Sequence, residues 1–191
     1  MIFRRLLFPG LLFIAGCAGG PEVAGWQINA SQGLQAFERL YLAGDTRGAE
    51  AEFQRAKAEL ASTGRGDLLA RAELVRCAAR IASLELDDCP GFAALRDVAG
   101  KEELAYADYL AGKGTHKAEG DALSRLVGFG VSFRKTNVNP ADIAAAVELA
   151  SAQGWRRPLL AWLGIQAKSA EAAGDSETAA RVRRRMDLIS K

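Results

Sequence analysis

Apolar positions recur at three- and four-residue intervals along most of the chain, the period of an amphipathic helix. Leu34, Phe37, Leu40 and Tyr41 share one face of a helix that Ser31 is placed to cap and Gly44 to stop. Asp45 can cap a second helix carrying Ala49, Phe53, Ala56 and Leu60, and Gly64 and Gly66 break the chain after it. Residues 67–86 are apolar almost all round, with a single polar stripe at Glu73, Arg76, Arg80 and Ser83, which predicts a central, mostly buried helix. Pro90 opens a short helix through Val98; residues 101–111 carry Leu104, Ala107 and Leu110; residues 117–127 carry Leu123, Leu126 and Val127. Over residues 128–139, GFGVSFRKTNVN, the pattern lapses and reads as a loop with a short extended piece. Asn139-Pro140-Ala141-Asp142 is a strong helix start: a capping side chain, a proline in the first turn and an acid beside it. Ile143, Ala146, Val147 and Ala150 follow at helical spacing up to Gly154. Pro158 opens a helix with Leu159, Trp162, Leu163 and Ala170, and Asp175 caps a last one burying Ala179, Val182, Met186 and Ile189.

Composition strengthens the helical reading. The 191 residues include 37 alanines against 8 Phe, 3 Tyr and 3 Trp, and runs of Val, Ile and Thr that would build a sheet are few. The expected fold is all-α, in antiparallel helical hairpins. With 25 basic and 23 acidic side chains, a strongly basic nucleic-acid binder and a polyacidic tail protein are excluded, and nucleic acid is not an expected partner.

The N-terminus changes where such a body is expected to work. Arg4 and Arg5 precede the apolar run LLFPGLLFIAG, which is shorter than the ~20 residues a membrane span requires, and small residues follow. Ile14-Ala15-Gly16-Cys17 resembles the bacterial lipobox. The resemblance implies cleavage before Cys17, a thioether-linked diacylglycerol on its sulfur and a further acyl chain, such as palmitate, on the new N-terminus. The alternative is an uncleaved anchor helix with an unmodified cysteine. The flanks of Arg4-Arg5 fit a twin-arginine signal poorly, which favours general secretion. Ala18, where an aspartate would signal retention at the inner membrane, implies an outer-membrane lipoprotein facing the periplasm. Residues 1–16 are then a signal peptide, 17–30 a lipidated N-terminus and flexible tether, and 31–191 a single helical domain. Removing residues 1–16 takes away Arg4 and Arg5 and leaves 175 residues with 23 basic and 23 acidic side chains, so no bulk electrostatic steering is expected. Apart from the covalent lipid on Cys17, no cofactor is expected.

In an oxidising compartment Cys77 and Cys89 are a candidate disulfide. Bridged Cα atoms lie about 4.4–6.8 Å apart, whereas a helix from Cys77 to Asp87 would separate its ends by about 15 Å. A bridge therefore requires the helix to stop near Ser83 or Leu84 and the chain to double back through Asp87-Asp88. The alternative is a pair of buried thiols. Two cysteines and one distant histidine lack metal-ligand spacing.

The turns recur. Ala43-Gly44-Asp45 and Ala173-Gly174-Asp175 each end one helix at Gly and begin the next at Asp, as in an αα-hairpin. Gly44, Asp45, Ala49, Phe53 and Ala56 resemble the turn and second helix of a tetratricopeptide repeat (TPR). Gly174, Asp175 and Ala179 follow the same pattern, with Arg183 where a large apolar residue belongs. The two Gly-Asp turns are not spaced by a multiple of the repeat, so a TPR-like superhelix and a compact helical bundle both remain open.

Candidate chemistry is sparse. His116, the single histidine, lies in a polar Gly-Lys-Gly-Thr-His-Lys turn, without an evident partner for acid–base work. No nucleophile elbow, zinc-protease or phosphate-loop motif occurs, and no catalytic residue is assigned. Phe129, Phe133, Arg134 and Lys135 combine aromatic and basic groups in the expected loop and are candidate partner contacts, or else the two aromatics pin the loop to the body. Arg181, Arg183, Arg184 and Arg185 form a candidate basic patch, or else complement the dipole of the last helix. The leading expectation is a non-catalytic scaffold or assembly factor for a cell-envelope complex, binding one or more envelope proteins. The resemblance to TPR-like outer-membrane lipoproteins implies complexes of the pilus or secretin kind. The alternatives are a cell-wall-acting enzyme or enzyme regulator, expected to show two converging acids in a cleft, and a lipid or small-ligand carrier, expected to show an enclosed apolar cavity.

Overall fold

The computed structural model describes residues 23–114, 120–136 and 138–190. Among these the fold is all-α, with no strand. The helices are α1 (Gly25–Ala43), α2 (Thr46–Ala61), α3 (Gly66–Ala82), the single turn α4 (Pro90–Ala93), α5 (Lys101–Leu110), α6 (Ala122–Arg134), α7 (Pro140–Ala152), α8 (Arg156–Ala172) and α9 (Ser176–Ser190), with a 3₁₀ turn at Arg96–Val98. No described helix is long and apolar enough to cross a membrane.

The two Gly-Asp turns close in the same way. Gly44 takes φ 98°, its N–H donates to the Tyr41 carbonyl, and the Asp45 N–H donates to the Leu40 carbonyl. This satisfies the last carbonyls of α1. The Asp45 carboxylate then accepts the Gly48 N–H at 2.9 Å and starts α2. Gly174, at φ 76°, and Asp175, which accepts the Thr178 N–H at 2.9 Å, repeat the arrangement between α8 and α9. Ala49, Phe53 and Ala56 are all buried where α2 packs on α1.

α3 is the axis of the molecule. Ala72 and Ala79 face a core built with Phe37, Leu42 and Phe53 of the α1–α2 hairpin. Leu74, Cys77, Ala78 and Ile81 face a second core with Leu110, Leu126, Val147, Trp162 and Leu163. A helix with apolar residues on nearly every side satisfies both at once. In a linear solenoid each hairpin touches only its sequence neighbours, but here α1 also packs on α8, and the elements close into a compact bundle.

Several boundaries differ from the sequence reading: the helix expected over 90–98 splits into α4 and the 3₁₀ turn, and α8 begins at Arg156 rather than Pro158. α1 begins at Gly25, so the expected tether of residues 17–30 gives way to helix in its last six positions, and Ser31 is an internal residue rather than a cap. Ala30 and Gly33 are buried on the same face as Phe37 and Tyr41, and Trp26 packs against that core. These positions continue the helical stripe backwards. α6 runs on through the segment expected to be a loop, ending only at Arg134. Gly130 accounts for the lapse in the pattern: a Cβ there would sit 2.4 Å from the Ile81 carbonyl oxygen, so a glycine is what allows α6 to lie directly on α3.

α3 stops at Ala82, earlier than residue 86. Leu84, at φ 59°, and Cys89, at φ 50°, turn the chain back. Cys77 and Cys89 are joined by a disulfide, with Cα atoms 5.4 Å apart.

Candidate functional site

A cleft of about 520 Å³ opens to solvent beside α3. α1 contributes Glu38, Arg39 and Leu42; α3 contributes Val75 and Ala78; Tyr106 comes from α5. The far wall is the start of α6, with Asp121, Leu123 and Val127, and the turn before α8 closes it with Gln153 and Trp155. Each side chain is placed by a local rule. Glu38 follows the core residue Phe37 and so sits at the edge of the buried face of α1. Asp121 is the cap of α6 and accepts the Ser124 N–H at 2.8 Å. Trp155 follows Gly154, whose φ of 67° ends α7, and its N–H donates to the Ala150 carbonyl.

Two acids, Glu38 and Asp121, stand among the apolar and polar side chains of the lining. Burial raises the Glu38 carboxyl above its usual 4.5, and the Asp121 charge raises it further. Tyr106 is pushed up to about 12, chiefly by burial and then by Tyr109, Asp121 and Glu38. The Asp121 charge thus acts on both Glu38 and Tyr106.

The residues singled out in the sequence lie elsewhere. Phe129 and Phe133 turn inward and meet the Trp162 ring edge-on, at centroid distances of 6.3 Å and 5.9 Å. Arg134 donates to the Asp87 carbonyl at 2.6 Å. Because the segment is helix and not loop, these three side chains serve packing, and only Lys135 of that group is exposed. The arginines of α9 are dispersed: Arg183 pairs with Glu171, Arg181 donates to Thr178 at 2.9 Å and Arg185 to Ser151 at 2.8 Å. Cys17 and His116 lie outside the described residues.

Cys77, Cys89 and Asp87 hold their sulfur and carboxylate atoms within 4.8 Å of one another. A metal would need thiolates, and here the sulfurs are bonded to each other. The Asp87 carboxylate is engaged by Arg80 at 2.6 Å and by the Cys89 N–H at 3.0 Å. The polar stripe of α3 is likewise used internally. Buried Glu73 accepts from Lys57 at 2.7 Å, and Arg76 lies 4.6 Å over the Phe53 ring.

Sequence reasoning passed over Glu38, Asp121, Tyr106 and Trp155. A capping signal at Asp121, ahead of Leu123, Leu126 and Val127, was the one local cue for any of them. No protein-family model, no curated protein and no solved structure matches the chain.

Proposed function

We propose that this chain is a lipid-anchored, non-catalytic scaffold or assembly factor of the cell envelope, and that the α1–α3–α5–α6 cleft is where it holds its partner. The observation that carries the reading is the cleft itself, where the apolar Leu42, Val75, Leu123 and Val127 line one concavity together with Tyr106 and Trp155. Aromatic and aliphatic groups gathered in a concavity are what a partner's side chains bury against. The lipobox-like Ile14-Ala15-Gly16-Cys17 supports attachment at Cys17 to the outer membrane, with the helical body facing the periplasm. More than one acyl chain makes such anchoring stable.

The test is crosslinking of the tagged protein in cells, detergent extraction and mass spectrometry. A stoichiometric envelope partner, lost on Leu123→Asp, is expected; no reproducible partner contradicts the reading. Globomycin or Cys17→Ser is expected to leave unprocessed precursor, and a mature protein that retains residues 1–16 in untreated cells contradicts the anchor.

A second reading has its own observation. Glu38 and Asp121 are two acids in one cleft, and a raised carboxyl is a property of a general acid. A cell-wall-acting enzyme would use Glu38 in that role. Release of fragments from purified peptidoglycan, abolished in Glu38→Gln, would establish it. Against it, the Asp121 carboxylate is committed to capping α6.

A further inference from the structure

Glu38 differs from the other buried and half-buried glutamates of the cores. The buried Glu73 has Lys57 and Arg76, and the buried Glu103 has Arg71 at 2.6 Å. Glu85 has Arg80 and Arg157. Glu38 is half-buried, yet among the described residues no hydrogen bond or ion pair reaches it. Its neighbour Arg39 is exposed and lines the same cleft without pairing with Glu38. A half-buried carboxylate that no ion pair compensates gains from an incoming cation.

The chain also shows how it seats its own guanidinium groups. Arg76 stacks on Phe53 at 4.6 Å, beside the Glu50 and Glu73 carboxylates. Arg157 stacks on Tyr41 at 4.2 Å, beside Glu85. The cleft supplies the same surroundings, with the Glu38 and Asp121 carboxylates and the rings of Tyr106 and Trp155. Neither carboxylate there has a guanidinium partner among the described residues.

We infer that the cleft takes a basic side chain, arginine or lysine, projected from a segment of the partner protein, with its cation at Glu38 and Asp121 and its aliphatic stem against the apolar lining residues Leu42, Val75, Leu123 and Val127. The inference rests on the binding reading above and names what is bound. Long basic side chains suit such a site because the stem covers apolar surface while the head keeps its charge partners. Arginine suits it best, since its planar head also stacks on aromatic rings.

The test uses the full-length protein in detergent and two capped tripeptides, acetyl-Leu-Arg-Leu-amide and its citrulline isostere, which keeps the shape and removes the charge. Calorimetric titration is expected to show the arginine peptide binding about tenfold more tightly, as for one partly desolvated charge pair. In Glu38→Gln that preference is expected to fall to near unity while the helical circular dichroism is unchanged. Equal binding of the two peptides overturns the inference but leaves the cleft as a binding site. Persistence of the preference in Glu38→Gln, or no binding of either peptide, also overturns it. The scaffold reading fails separately, on the absence of a crosslinked partner in cells.

Discussion

Arg157 lies 4.2 Å over the ring of Tyr41 and donates from Nε to the Tyr41 carbonyl at 2.8 Å. One guanidinium thus joins α8 to the end of α1. It also reaches Thr46 Oγ1 at 2.6 Å and Glu85 at 3.3 Å, so it ties the α1–α2 hairpin, the loop after α3 and the C-terminal half together. Trp162 makes a parallel tie, donating its indole N–H to the Ala82 carbonyl at 3.0 Å.

Arg157→Met removes these bonds while keeping most of the stem. The expected loss is about 1–3 kcal/mol, the range for hydrogen bonds from a charged group, read as a lower urea midpoint with unchanged helical content. An unchanged midpoint would show that the hairpin is held by apolar contact alone.

Gly130→Ala places a methyl group against the Ile81 backbone and is expected to cost about 1–3 kcal/mol, as overpacking does. Gly25→Ala meets nothing within 4 Å and is expected to be neutral or slightly stabilising. Thermal denaturation of the pair separates close approach from helix propensity. Equal effects would contradict the α3–α6 contact.

Cys77→Ser, or reduction, opens the loop between residues separated by 12 positions. Chain entropy assigns such a closure about 3 kcal/mol, so denaturant midpoints with and without reductant are expected to differ by that order. A coincident pair of curves would contradict the bridge.

Two carboxyls give opposite pH dependence. The Glu38 carboxyl is raised above 4.5 by burial and by Asp121. The folded state therefore binds that proton more tightly than the unfolded one, and stability falls as pH rises from about 4.5 through the raised value. The Glu103 carboxyl is lowered, first by the Arg71 hydrogen bond; its contribution is present above 4.5 and lost as pH falls through the lowered value. Arg71 is largely exposed, so solvent screening keeps that contribution within about 1 kcal/mol. Glu38→Gln is expected to gain on the wild type at pH 7 and lose the advantage near pH 4. Urea midpoints across pH check it, and a constant offset would contradict the burial of Glu38.

Periodicity and turn residues made most of the fold legible: the central α3, both Gly-Asp turns, and the helix start at Asn139-Pro140, where the structure adds a reciprocal capping box between Asn139 and Asp142. The early stop of α3 also followed from the distance a Cys77–Cys89 bridge demands. What escaped was set by tertiary contact. Gly130 reads locally as a helix breaker and acts as a spacer against Ile81. Phe129 and Phe133 read as loop residues, either exposed or pinning the loop, and pack on Trp162 from a helix. The cleft was the least legible part. Glu38, Tyr106, Asp121 and Trp155 come from four separate elements, and no local pattern announces that the bundle closes them around one space.

The central claim is that this cleft holds an envelope partner. It is tested most directly by a photo-crosslinking amino acid placed in living cells at Gln35 or Ser124 on the cleft, with Leu188, 74% exposed on α9, as the remote control. The account predicts one discrete adduct from both cleft positions, absent from Leu188 and weakened by Glu38→Gln. Adducts that are equally strong from Leu188, or none from the cleft, would contradict it.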